Sequence, residues 1–140
     1  MMKGSLLVVA VLIAVTACSN RATPILTPMR TRLTALLFGE LVEVEGCLRV
    51  KERDVGTSYL LAWGPEFAVT TENDAVQIVH EDGTKIVLHI GETVRISGGE
   101  VKSVGYLDEQ VRQTLPAGCP GPYWFVGTEV SALEATKQPK

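Results

Sequence analysis

The sequence predicts a mainly β domain, a small antiparallel barrel of five or six short strands with one short helix or helical turn. Three observations predict it. Apolar and polar residues alternate with a period of two from residue 40 to 50 and again through Thr93-Val94-Arg95-Ile96-Ser97. Asp82-Gly83 stands between two β-rich runs, which is the strongest short-range hairpin signal in the chain. Glycine bends at Gly46, Gly64, Gly91 and Gly98-Gly99 divide the chain into short runs. Another β-barrel or a β-sandwich is the competing architecture.

The bulk numbers bound the answer. With 140 residues, the chain is sized for one domain once a leader is set aside. Hydrophobic residues make up 46% and aromatics only 6%, a foldable composition rather than a disordered one. Formal net charge is −3 and no run of Lys and Arg could track a phosphate backbone. Nucleic acid is therefore not an expected partner.

Residues 1–17 have the three parts of a secretory signal peptide. Met1, Met2 and Lys3 form a positive start, the apolar run from Leu6 follows, and small residues lead to Cys18. The run is short for a transmembrane span. Val15-Thr16-Ala17-Cys18 resembles the lipobox of bacterial lipoproteins. That resemblance implies removal of residues 1–17 and attachment of diacylglycerol to the Cys18 thiolate. It also implies an N-acyl chain such as palmitate, so that two lipid signals hold the domain on a membrane outside the cytoplasm. In such proteins of diderm bacteria, a residue like Ser19 goes with outer-membrane sorting. An uncleaved signal anchor or a buried helix is the alternative for this segment.

Residues 18–28 form a tether with two prolines and no periodicity. The domain is expected over residues 29–135, with a frayed tail at 136–140. Thr27 and Pro28 suit a helix start, and Met29, Leu33, Leu36 and Leu37 share one helical face up to Gly39. The spacing predicts a short helix there; the competing reading is that 34–38 already begins the first strand. From residue 40 onward Val42, Val44, Leu48 and Val50 share the core parity of one strand, with Gly46 as a bulge or bend. Cys47 then lies on the polar parity unless that bulge turns it. If it points outward, its partner must come from a segment lying over the exterior.

The remaining elements follow in order. Tyr59–Trp63 reads as a strand closed by Gly64-Pro65, and 66–75 is mixed, with Phe67 and Val69 as core contacts. A two-residue turn at Asp82-Gly83 would pair His80 with Lys85 and Val76 with His89, leaving Val79, Ile86, Leu88 and Ile90 on the more apolar face. Thr93–Ser97 is a strand bent at Gly98-Gly99, 105–121 is irregular with a helical turn at Asp108–Thr114, and Tyr123–Leu133 is the final strand. Gly91–Gly99 looks like the Gly-acidic-x-Val-x-Val-x-Gly strand of OB-fold proteins, and Val44–Leu48 resembles their Gly-bent first strand. The resemblance covers about a third of the domain and implies an OB-fold-like barrel.

Three groups of residues carry candidate chemistry. With Cys18 used for lipid, Cys47 and Cys119 remain as an even pair in an oxidising compartment, and a Cys47–Cys119 disulfide is expected. Two free thiols are the alternative, and with them a small envelope redox protein or enzyme using Cys47 or Cys119. His80 and His89 would share a face but sit four pairs apart, about 13 Å, too far for one metal ion. No catalytic, metal or cofactor site is therefore expected. Tyr123-Trp124-Phe125, with Trp63, forms the remaining patch. Aromatics on such a strand face can be a ligand-stacking platform or simply core, with Trp124 and Val126 on one face and Tyr123 and Phe125 on the other. The expected function is that of a lipid-anchored, non-catalytic envelope domain that binds or scaffolds. Its partner would be an envelope protein, a glycan or a small ligand.

Overall fold

The structure, a computed structural model, describes residues 34–134. The leader, the tether and positions 29–33 of the expected helix lie outside the described residues. Eight strands are present among those described: β1 (Ala35–Val44), β2 (Cys47–Glu52), β3 (Ser58–Ala62), β4 (Phe67–Glu72), β5 (Ala75–His80), β6 (Lys85–His89), β7 (Thr93–Val101) and β8 (Tyr123–Ala132). A 3₁₀ turn at Val104–Tyr106 and one helix, α1 (Glu109–Thr114), lie between β7 and β8.

Five strands pair in the order β1-β2-β3-β8-β7, and β7 pairs back onto β1, so the ladder closes into a ring. All its pairings are antiparallel except β3 with β8, which is parallel. The other three strands form a separate antiparallel sheet, β4-β5-β6, carried between β3 and β7. Alternation sets the two faces. Leu37, Leu41, Val50, Tyr59, Leu61, Val94, Ile96, Trp124, Val126 and Val130 fill the ring, and Val76, Ile78 and Leu88 of the second sheet join the same core. One end of the ring, the near end, carries the start of β1, the β2–β3 loop and the long β7–β8 connection. The far end carries the β1–β2 hairpin and both links to the second sheet.

Four local expectations are corrected. The helical face at Leu36 and Leu37 is strand: Ala35–Glu40 pair with β7, Leu37 and Leu41 turn inward and Leu36 outward. Cross-strand pairing overrides a helical pattern that ends after three turns. Gly46 is a hairpin turn, not a bulge; Glu45 and Gly46 both have positive φ, at 53° and 77°, and Val44 pairs with Cys47. The two-residue reversal makes odd positions of β1 face even positions of β2, so Leu41 meets Val50 inside. Val42 and Val44 consequently lie on the outer face, with Val44 49% exposed.

The β5–β6 register is displaced by one residue. Ile78 pairs with Ile86 and Val76 with Leu88, and the His80 amide donates to the Thr84 carbonyl at 2.9 Å. Glu81-Asp82-Gly83 is a three-residue loop with Gly83 at φ 88°, the conformation that such loops need at their last position. The one-residue slip moves Val79 out of the core face and Val76 and Ile78 into it. Finally, the mixed 66–75 stretch contains all of β4 and a hairpin at Asn73-Asp74, whose φ values are both positive. Asn and Asp tolerate that conformation, but no glycine advertises it.

Candidate functional site

The chain from Leu115 to Pro122 crosses the outside of the ring as a strap. Three prolines in it remove backbone donors, which rules out helix and central strand. The strap is held at three places. Cys119 is disulfide-bonded to Cys47, with Cα atoms 5.7 Å apart. Arg49, two positions along β2 and on the same outer face, is only 8% exposed; it donates to the carbonyls of Ser58, at 3.0 Å, and Pro120. The Leu60 amide donates to the Pro122 carbonyl at 2.9 Å. A buried guanidinium needs such acceptors, because an unpaired one would be costly to keep from water. Cys47 does point outward, and its partner does lie over the exterior.

Helix α1 covers the neighbouring part of the same wall. Asp108 caps it, its Oδ1 accepting from the Val111 amide at 2.9 Å. Leu107 and Val111 are buried against Ala62, with Val101, Leu115, Tyr123 and Phe125 packed around them. The expected aromatic patch is thereby divided. Trp124 is 6% exposed inside the ring, edge-on to Tyr59 with centroids 5.6 Å apart, while Tyr123 and Phe125 are half-buried under α1. Trp63 is separate from all three. It lies half-buried at the start of a row in which Trp63 meets Phe67 at 5.4 Å, and Phe67 meets His80 at 5.1 Å.

The titratable groups are dispersed. His80 and His89 occupy opposite faces of the second sheet, contrary to the expected common face, because the register slip inverts one strand against the other. His80 Nδ1 is 3.1 Å from Asp82, and His89 Nδ1 is 3.3 Å from Glu92. Hydrogen bonds from Thr84, then the His80 interaction, hold the Asp82 carboxyl below its usual value. Burial, reinforced by the charges of Glu100 and Glu52, raises the Tyr59 phenol above its usual value. Among the described residues no three His, Cys, Asp or Glu side chains come together as a metal site. No described helix is long and apolar enough to cross a membrane.

Sequence reasoning missed Arg49. A single arginine in an alternating strand looks like solvated charge, and only the strap laid over it makes it buried. The one signal was the outward parity it shares with Cys47. No family model matches this chain, and neither a curated protein nor a solved structure matches it.

Proposed function

We propose that this chain is a lipid-anchored, non-catalytic binding or scaffold domain of a bacterial cell envelope, built on an OB-fold-like barrel. The observation that carries the reading is Val15-Thr16-Ala17-Cys18 behind a short apolar leader. The paired Cys47 and Cys119 support it, since structural disulfides persist in oxidising compartments. The barrel assignment is supported by the closed five-strand ladder. OB folds bind oligonucleotides and oligosaccharides on the face of their second and third strands. In this chain the strap and its disulfide cover the corresponding outer surface of β2 and β3, which speaks for a partner bound elsewhere. Cys47 sits in that covered wall at 4% exposure, which speaks against a cycling redox pair.

The test is an intact mass of protein extracted from its native membrane, with and without reductant. The expected result is a chain beginning at Cys18, carrying acyl mass and gaining two hydrogens on reduction. An unlipidated chain with residues 1–17 retained and free thiols would overturn the anchor and return cysteine chemistry to consideration.

A further inference from the structure

Among the described residues, eight large apolar side chains are exposed, and their distribution is uneven. Leu36 and Phe38 lie on the outer face of the first residues of β1. Val55 tips the β2–β3 loop, and Val104 and Tyr106 lie in the 3₁₀ turn after β7. All five belong to the near end of the ring. The far end has Val44 and Leu133, and the second sheet has Val87. The two most exposed of the eight, Tyr106 at 83% and Val55 at 75%, are both at the near end.

The 3₁₀ turn is held so as to present its side chains. Ser103 Oγ accepts from the Gly105 amide at 3.3 Å, and the Leu107 amide donates to the Val104 carbonyl at 3.1 Å. Leu107 itself is buried under α1, yet none of Val104, Gly105 and Tyr106 is buried. Apolar side chains gathered at one end of a domain and left in water mark an interaction surface.

The point at which the chain enters the ring bears on what covers these tips. Residues 19–33 separate Cys18 from Thr34, and β1 begins directly after, at the near end. We infer that the near end rests on the bilayer that carries the anchor, with Val55, Val104 and Tyr106 entering the head-group region and Leu36 and Phe38 at its edge. This rests on the anchor reading of Cys18. Tyr106 suits that depth, because its ring is apolar and its hydroxyl polar. Neighbouring charges are mixed, Arg53 and Lys102 with Asp54, so attachment depends on apolar insertion rather than on anionic lipid. Phe38 is opposite Arg95 in the ladder, and the Arg53 amide donates to its carbonyl, so its backbone is fixed in the wall.

The test uses lipidated protein in vesicles of phosphatidylethanolamine and phosphatidylglycerol whose acyl chains are brominated beside the head groups. Y106W and V87W each add one tryptophan at an exposed site, read as the emission difference from the parent. Flotation and intact mass are taken on the same preparations. The expected result is flotation, severalfold quenching of the added emission in Y106W, and none in V87W. Flotation with equal quenching of the two, or with none, overturns the surface and leaves the anchor standing. Failure to float, with no acyl mass, overturns the anchor reading and the proposal with it. Emission from Y106W that shifts to the blue with rising protein concentration in unbrominated vesicles, unchanged by bromine, places a second copy there and overturns the lipid assignment.

Discussion

Cutting the strap loose should remove a large share of the domain's stability, and the cost can be worked out. In the chain-entropy model a bridge closing the 72-residue separation of Cys47 and Cys119 removes about 15 cal/mol/K from the unfolded chain, about 4.4 kcal/mol at 25 °C. Domains of this size have about 5–15 kcal/mol in total, so C47A/C119A should fold but with a much lower urea midpoint. The structure adds a second, coupled term. R49M keeps the buried stem but leaves the carbonyls of Ser58 and Pro120 without their guanidinium donor, which costs about 1–3 kcal/mol while the strap is tied down. With the disulfide gone, the strap can lift and water can reach those carbonyls, so the same R49M change should cost less. Urea unfolding of the four proteins in this cycle gives both numbers. A loss below about 1 kcal/mol in C47A/C119A, against the chain-entropy value, would refute the strap as the main constraint on the unfolded chain. Equal R49M costs in the two backgrounds would refute the clamp.

Other substitutions test the interior and the turns. Trp124→Ala should cost about 3–5 kcal/mol, because the indole fills the ring beside Tyr59; near-wild-type melting would return Trp124 to the list of ligand contacts. Gly98 has φ 147° and an added Cβ there would strike the Phe125 carbonyl, so Gly98→Ala should lower stability by at least about 2 kcal/mol in the same assay. Glu45→Asn should raise it by part of the roughly 1–2 kcal/mol that an ordinary residue loses in a left-handed conformation, and no gain would show that the Glu45 strain is relieved elsewhere. The Tyr59 phenol has a folded pKa above its unfolded value of 10.0, so its contribution is complete below pH 10 and is lost as pH rises through the folded value. Phenolate absorbance, read against a Tyr59→Phe control, should show Glu100→Gln moving that titration down, since Glu100 is the larger of the two charges opposing ionisation.

What could be read from the sequence followed the range of the interactions concerned. The final strand, with Trp124 and Val126 on one face and Tyr123 and Phe125 on the other, was legible because alternation is a local property. The helical turn closed by Asp108 and Thr114 was legible for the same reason, as was the pairing of two cysteines left after Cys18. Reversals whose geometry depends on backbone angles were not. Glu45-Gly46 and Asn73-Asp74 each form a turn with two positive φ values, but neither is the Asn-Gly or Asp-Gly pair that signals one. Asp82-Gly83 is such a pair and still misled, because Gly83 ends a three-residue loop and the extra residue moves the register by one. The cysteine pairing aside, interactions between distant segments were not legible: the parallel pairing of β3 with β8, the burial of Arg49, whose one signal was its outward parity, and the gathering of exposed apolar tips from three segments at one end.

In the proposed orientation, that gathering and the strap together limit where a partner would sit. The outer wall of β2 and β3 is covered by the chain itself from Cys47 to Arg49 and at Leu60 and Ala62, and a ligand there would have to displace a disulfide-bonded segment. Were the near end to rest on lipid as proposed, the surface facing away would be the second sheet, whose links to the ring are at the far end and whose Val76, Ile78 and Leu88 share its core. Its outer face carries Ala68, Thr70, Glu72, Lys85, Val87 and His89 in exposed positions. Its first strand, β4, is an edge, pairing with β5 on one side only. An edge strand offers main-chain donors and acceptors to an incoming extended peptide. Val69→Pro removes one of those amides on the side away from β5, since the Glu81 amide bonds Glu66 and sets the alternation that points the Val69 amide away from β5, while its side chain packs on the core. It should leave the near-end lipid contact intact and abolish strand addition. Glu72→Lys should change association rate and salt dependence more than final affinity. A partner whose binding survives Val69→Pro and is instead lost on Tyr106→Ser would place recognition at the near end, and the domain could then not hold its membrane and its partner at once.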